Sequence, residues 1–134
     1  MVDTKRLDTT RPVMLIEDDD DLRELEAMLL ERAGFRVVTA REGQEALERV
    51  AQEMPAVIFL DMRMPGMDGW AFAREFRALH DHSAPIVVIT AAASADKRAE
   101  EITADGFLGK PFGAADLMTV ARRYLSAPAD DPSE

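Results

Sequence analysis

Short apolar runs alternate with amphipathic helical patterns along this 134-residue chain, and this alternation constrains the fold more than any other feature. Residues 13–16, 56–60 and 86–89 are continuous apolar runs of a length that suits strands buried on both faces. Two further strands are predicted, a half-exposed one over 34–40 and a minimal one over 107–108. Because parallel strands need crossover connections, the pattern predicts an α/β protein with a parallel sheet between layers of helices.

Helical patterns fill the intervals between the predicted strands. The first helix carries Leu22, Leu25, Leu29 and Ala33 on one face, the second carries Ala46, Leu47 and Val50, and the last carries Leu117, Val120, Tyr124 and Leu125. The third is expected over 70–79 with Asp68 as its N-cap, and the fourth, almost entirely polar, over 94–102. Gly34 stands where a helix end favours positive φ. Five βα units result, and we expect a flavodoxin-like, doubly wound sheet with strand order 2-1-3-4-5.

One domain is expected from a chain of this length. It should occupy residues 12–126, after a flexible extension over 1–11 and before a disordered tail over 127–134. Nothing after residue 126 could form an output domain, so we expect a stand-alone unit that acts through protein contacts. A piece cut from a longer parent would show the same sequence.

The charge and residue composition exclude several classes of function. Twenty-six acidic and sixteen basic residues give a net charge of −10, which repels nucleic-acid phosphates. The chain has no cysteine, so disulfides and thiolate metal sites are excluded. No apolar run approaches the roughly 20 residues of a membrane-spanning helix, and no apolar leader segment is present. We therefore expect a cytoplasmic protein without direct nucleic-acid or membrane partners.

Carboxylates stand at the ends of two predicted strands. Glu17 and Asp18 close the first strand and Asp61 closes the third, and these strands are neighbours in the expected order. Three anions in one place require a cation, and a ligand set of oxygens alone predicts Mg²⁺, with Mn²⁺ as the alternative.

The remaining acids of the run over residues 17–21 suit the start of a helix. Asp20 and Asp21 are assigned to capping, with Asp21 and Glu24 as a capping-box pair, because acidic groups in a first turn interact favourably with the helix dipole. Asp19 is left without a role.

A hydroxyl and an ammonium are expected at the other strand ends. Thr90 ends the fourth strand and Lys110 follows the fifth. Taken alone, a threonine at such a position more often serves only as a β-branched strand residue, and a lysine more often lies solvated on the surface without a binding role. Together with Mg²⁺ around Asp61, they form a site suited to a phosphoryl group, whose charge in transfer needs neutralisation. Asp61 would be the nucleophile.

Four motifs in this order resemble the receiver domain of two-component response regulators: LIEDDDDLREL, FLDMRMPGMDGW, VVIT and GFLGKPF. The resemblance covers residues 12–126 and implies that Asp61 is the phosphoacceptor. Glu17 and Asp18 match the acidic pair of the family, and Thr90 and Lys110 match its phosphoryl ligands.

Further roles are implied by the same resemblance. The backbone carbonyl of Arg63 would complete the metal ligands, Phe107 would be the switch aromatic, and the Lys110–Pro111 bond would be cis. Arg63 and Ala92 would tune the lifetime of the phosphoryl group. Thr103 departs from the glycine of many receivers, so either a positive φ there is strained or the turn differs.

The function implied is signalling rather than enzymatic, although a receiver assists its own phosphorylation and dephosphorylation. The domain would take a phosphoryl group from a histidine kinase or a histidine phosphotransfer protein onto Asp61. It would then change a protein-binding face made by the fourth helix, fifth strand and fifth helix, and hydrolysis would reset it. The downstream target would be a protein.

Other classes of protein with a similar fold or a similar aspartate require residues that this sequence can be checked for. A haloacid-dehalogenase-like phosphatase needs a second aspartate two positions after the nucleophile, where Arg63 stands. A flavin-binding flavodoxin needs a phosphate loop after the first strand, where five acids stand. His80 and His82 fall in a polar segment and are interpreted as solvated rather than as phosphotransfer residues. A receiver-like binding module that no longer accepts phosphate stays open, although every chemical position is filled.

Overall fold

Five parallel strands form the centre of the computed structural model, which describes residues 10–125. They are β1 (Val13–Ile16), β2 (Val37–Ala40), β3 (Val57–Asp61), β4 (Ile86–Ala91) and β5 (Gly106–Lys110). The order β2-β1-β3-β4-β5 confirms the predicted fold class and topology. Of the predicted N-terminal extension only residues 10 and 11 are described, and the predicted tail over 127–134 lies outside the described residues.

Five α-helices connect and follow the strands. They are α1 (Asp20–Arg32), α2 (Gly43–Gln52), α3 (Gly69–His80), α4 (Ala95–Glu101) and α5 (Ala114–Leu125), and a 3₁₀ turn over Ala92–Ser94 precedes α4. None of the helices described between residues 10 and 125 combines the length and the apolar character that crossing a bilayer requires. The predicted elements all exist, with ends shifted by a few residues.

Two hydrophobic clusters cover the two faces of the sheet. Successive side chains of a strand point to opposite faces. In β1, Met14 and Ile16 therefore pack in the cluster that contains residues of α2, α3 and α4, whereas Val13 and Leu15 pack in the cluster that contains residues of α1 and α5. Since both faces are covered, the central strands are buried along their length, as their continuous apolar runs predict.

The carboxyl ends of four strands meet at one edge of the sheet. Ile16 of β1 lies opposite Leu60 of β3, and Asp61 lies opposite Ile89 of β4. Ala91 of β4 in turn lies opposite Lys110 of β5. The residues that follow β1 and those that end β3, β4 and β5 are thus brought to one place.

The segment after β3 is held close to the strand end by Gly69. The backbone N–H of Gly69 donates to the carbonyl oxygen of Met62 at 3.2 Å. A Cβ atom at Gly69 would lie 2.7 Å from the Cα atom of Met62, so any other residue would force backbone apart. This contact fixes the turn that follows Asp61.

The leucine stripe of α1 is not the most buried side of that helix. Of the residues Leu22, Leu25, Leu29 and Ala33, Ala33 packs against a core cluster, whereas Leu25 is 47% exposed. The buried side chains of α1 are Glu26 and Leu30. A leucine stripe marks an apolar face, but it does not say which side of the helix meets the sheet. Most of the stripe instead lines an open groove between α1 and the loop that leads into α5.

The capping assignment in the acidic run also needs correction. Asp19 is the N-cap of α1, and its Oδ1 accepts the N–H of Leu22 at 3.0 Å. Asp20 and Asp21 stand inside the first turn, so Asp21 and Glu24 do not form a capping box. The helix begins two residues earlier than the predicted pair requires.

Four further positions, in helix caps and turns, can be compared with the predictions. Asp68 is the N-cap of α3, and Gly34 has a φ of 101°, both as predicted. Thr103 has a φ of 53°, which is the strained alternative of the two that its sequence position left open. His80 is the last residue of α3 rather than a loop residue, with its ring centroid 5.3 Å from that of Phe76.

Candidate functional site

Three carboxylates converge where β1 and β3 end. Glu17, Asp18 and Asp61 each offer an oxygen, and these oxygens lie within 4.8 Å of one another. Glu17 and Asp61 are buried, with 1% and 6% of their surfaces exposed, whereas Asp18 is open to solvent. A cluster of oxygen ligands with an open side could hold a divalent metal ion.

Asp61 is held by the turn that follows it and is strongly perturbed by its surroundings. The backbone N–H of Arg63 donates to its Oδ1 at 3.1 Å. Burial, and then the negative charge of Glu17, raise the pKa of Asp61 from its ordinary 3.8 to about 7. The ionised form therefore needs additional positive charge near it.

Lys110 supplies part of that charge. Its Nζ lies 2.9 Å from Oε1 of Glu17 and 3.8 Å from Oδ2 of Asp61. Burial acts to lower the pKa of Lys110, but the hydrogen bond to Glu17 and the charges of Asp61 and Glu17 outweigh it, so the pKa is raised above its usual value. One ammonium against three carboxylates leaves the cluster negatively charged, which favours a divalent cation.

The loop after β1 is fixed by contacts that the sequence interpretation missed. Nη1 of Arg23 donates to the backbone carbonyl of Glu17 at 3.0 Å, and the N–H of Asp19 donates to Oε2 of Glu17 at 3.2 Å. The only feature of the sequence that points to these contacts is an arginine early in the helix that follows the acidic run. Its partner is a backbone atom, so residue type alone does not identify it.

Three more of the predicted residues line the same cavity, which has a volume of about 290 Å³. Its lining includes Arg63, Thr90 and Lys110 together with the three carboxylates. Thr90 is only 5% exposed. Phe107 lies on β5 outside this lining and is 51% exposed.

Two backbone features flank the site. The Lys110–Pro111 bond is cis, as the family resemblance implies. Ala92 begins the 3₁₀ turn that follows β4. The structure thus brings Glu17, Asp18, Asp61, Arg63, Thr90 and Lys110 together around one cavity. Phe107 lies outside the lining, three residues before Lys110 on β5, and it is exposed.

A doubly wound α/β fold with an acidic cluster at its carboxyl edge defines a class of signalling domain, and the comparisons agree with it. The family model described as the response regulator receiver domain matches residues 13–122. This chain therefore belongs to the receiver domains of two-component response regulators, and the predicted resemblance is confirmed. Such domains are signalling units with a phosphoacceptor role that is general to the family; they are phosphorylated by kinases and act on downstream targets.

Curated relatives are response regulators and transcriptional regulators. The chain is 36% identical over 121 residues to the probable transcriptional regulator ycf27 of Guillardia theta, covering 89% of this chain and 47% of that one. It is 39% identical over 114 residues to the C4-dicarboxylate transport transcriptional regulatory protein DctD of Rhizobium meliloti, covering 83% and 24%. The chain thus spans about half or less of the length of these relatives.

Solved receiver structures share the fold. Chemotaxis protein CheY4 of Vibrio cholerae superposes with a TM-score of 0.78 at 30% identity, over 86% of this chain and 98% of that one. The receiver domain of NtrX from Brucella abortus gives a TM-score of 0.76 at 31% identity, over 84% and 97%.

Proposed function

We propose that Asp61 is the residue of this receiver that accepts the phosphoryl group, from a histidine kinase or a histidine phosphotransfer protein. The observation that supports this most is its place in the cluster. Asp61 is the buried carboxylate at the end of β3, within reach of two other acids and 3.8 Å from the ammonium of Lys110. We take the unit to be the 12–126 domain and its compartment to be the cytoplasm.

The metal that fits this donor set is Mg²⁺, with Mn²⁺ as the alternative. Glu17, Asp18 and Asp61 would hold it, together with the backbone carbonyl of Arg63. When bound, the ion supplies positive charge beside a phosphoryl group in transfer.

In the proposed transfer, a carboxylate oxygen of Asp61 attacks the phosphorus of a phosphohistidine. A P–O bond forms as the P–N bond of the donor breaks, and the imidazole nitrogen leaves with the electron pair. The N–H of Arg63 orients the carboxylate through Oδ1. Lys110 and the Thr90 hydroxyl would bind the phosphoryl oxygens, with Lys110 leaving its contact with Glu17 to do so.

The reset in this proposal is hydrolysis of the acyl phosphate by water. Arg63 and Ala92 flank the site, and we assign to them the tuning of its rate. Arg63 lines the cavity, which supports this assignment, and its side chain would influence the approach of water.

Phosphorylation by a small donor tests the assignment of Asp61. Acetyl phosphate should add one phosphoryl group to the full chain in Mg²⁺ and none in EDTA, as measured by intact mass. Asp61→Asn should abolish the addition, whereas Asp81→Asn, which makes the same change at an exposed turn residue, should leave it intact. Labelling that persists in Asp61→Asn would show that another residue is the acceptor. Absence of both labelling and beryllofluoride binding would favour the module that no longer accepts phosphate.

Output is proposed to pass through the face of α4, β5 and α5. Phe107 is exposed on β5, one strand away from the buried Thr90 on β4, so inward repacking of the ring would accompany engagement of the Thr90 hydroxyl. Beryllofluoride with Mg²⁺ should change hydrogen-exchange protection over residues 94–125. Lys110→Ala should still bind Mg²⁺ but lose this response. Unchanged protection over that range in the wild-type chain would contradict the proposed face.

A further inference from the structure

An apolar groove lies beside the acidic cluster, between α1 and the segment that joins β5 to α5. Its volume is about 550 Å³, within the roughly 300–1,000 Å³ of small-molecule sites. The lining is mostly hydrophobic and includes Leu22, Leu25 and Leu29 on one side with Phe112 and Leu117 on the other. The groove thus has the size and the walls of a binding site for an apolar molecule.

One buried carboxyl group lines this groove. Glu26 is only 6% exposed, and its Oε1 has no hydrogen-bond partner within residues 10–125. A buried polar oxygen without a partner is costly, and a buried charge without a counter-charge is costlier still. The phosphoryl-transfer site proposed above makes no use of Glu26.

The other charged residue in the lining does not satisfy Glu26. Lys110 lies at the rim that the groove shares with the acidic cluster, and its ammonium contacts Glu17 and Asp61. Its ammonium also attracts Glu26 electrostatically, but it leaves Oε1 of Glu26 without a hydrogen bond. A ligand that satisfies Glu26 must bring its own donor, and the acidic surroundings favour a positively charged one.

We propose that this groove binds a small apolar amine. The ammonium of the ligand pairs with the carboxyl group of Glu26, and its hydrocarbon part packs on Leu22, Leu25 and Leu29. A carboxylate ligand would be repelled by Glu26, and an alcohol would supply a hydrogen bond without the opposite charge. The order of affinity is therefore amine first, alcohol second and acid last.

Phenethylamine is the probe, with phenethyl alcohol and hydrocinnamate as matched neutral and anionic probes. Each is titrated into the isotope-labelled full chain at about pH 8, above the pKa of about 7 of Glu26, and amide shifts are followed by NMR. Phenethylamine should give saturable shifts centred on residues 22–29 and 110–117, and it should bind more tightly than the other two. Equal binding of all three probes, no saturable shift, or shifts centred on residues 17–18 and 61 would overturn the proposal.

Substitutions separate the carboxyl group from the apolar wall. Glu26→Gln should weaken phenethylamine by about tenfold or more, since a hydrogen bond to a charged group contributes about 1.5–3 kcal/mol, and it should leave phenethyl alcohol nearly unchanged. Glu24→Gln, on the exposed side of the same helix, should leave the amine unaffected. Retained amine affinity in Glu26→Gln would overturn the role of Glu26.

A second variant avoids the buried position. Leu25 is 47% exposed, so Leu25→Ser should keep the fold and weaken all three probes. Unchanged affinities in a folded Leu25→Ser chain would show that the groove is not the site.

Discussion

At Asp61, burial and a neighbouring negative charge act in the same direction on one carboxyl group. Both favour the protonated form, and together they raise its pKa to about 7. The position of Asp61 at a strand end follows from the sequence, because a continuous apolar run leads directly into it. Its altered acidity does not, since that depends on how deeply the residue lies and how close Glu17 comes.

Thr103 is a residue whose backbone conformation opposes its side chain. Its φ is 53°, and the left-handed region costs a β-branched residue roughly 1–2 kcal/mol. Thr103→Gly should relieve this strain and, after the entropic cost of glycine of roughly 0.5–1 kcal/mol, raise the free energy of unfolding by about 0.5–1 kcal/mol. Urea unfolding measures it. Thr103→Ala keeps a Cβ atom and should gain less; a greater gain from alanine would contradict the argument.

Residues whose positions follow from strand ends could be predicted, and those whose environments follow from the orientation of a helix could not. Glu17, Asp18, Thr90 and Lys110 follow apolar runs or end them, and the parallel topology brings them together. Arg23 and Glu26 lie on α1, and their environments depend on which side of that helix meets the sheet. The sequence of α1 shows its leucine stripe clearly, but it does not show which side of the helix is buried against the sheet.

Helix α4 is attached to α3 by polar contacts. Periodicity offers it only Ala99 and Ile102 as apolar anchors, and so predicts a weakly held helix. In the structure the indole N–H of Trp70 donates to Oε1 of Glu101 at 2.9 Å, and the guanidinium of Arg98 lies 5.6 Å from the Trp70 ring centroid. Counting apolar residues cannot reveal contacts of this kind, because they join residues about thirty positions apart.

Glu101→Ala should loosen α4 without unfolding the domain. It removes the acceptor of the Trp70 N–H and the partner of Arg98, whose Nη2 lies 3.3 Å from Oε2 of Glu101. Because these groups are partly exposed, the expected cost is about 0.5–1.5 kcal/mol. Hydrogen exchange should become faster over residues 95–101. Glu100→Ala, at the exposed neighbouring position, is the matched control, and equal acceleration in both variants would show that the Trp70 contact does not hold the helix.

Over the whole molecule, the class and order of the sheet could be predicted because two constraints act together. Buried parallel strands must read as continuous apolar runs, and right-handed crossovers leave few ways to connect them. The same constraints leave the rotation of each surface helix undetermined. The topology was therefore predicted correctly, whereas the side of α1 that is buried does not follow from the sequence.

Two buried carboxyl groups should make the stability of the metal-free domain fall as the pH rises. Burial is the main cause of both pKa shifts. The pKa of Asp61 rises from 3.8 to about 7, and that of Glu26 rises from 4.5 to about 7. The folded state therefore keeps protons that the unfolded chain has already lost. The stabilisation is complete below the unfolded pKa values and is lost as the pH rises through about 7.

Divalent metal should reverse the part of this trend that belongs to Asp61. Metal binds the ionised carboxylate, so the gain in unfolding free energy on adding Mg²⁺ should increase with pH over the same window. Urea unfolding between about pH 5 and pH 8, with Mg²⁺ and with EDTA, measures both effects. Asp61→Asn should flatten the metal-free dependence and remove most of the gain, whereas Asp81→Asn should retain both. A gain from Mg²⁺ that is the same in Asp61→Asn as in the wild-type chain would place the metal away from Asp61, and with it the chemistry proposed for this edge of the sheet.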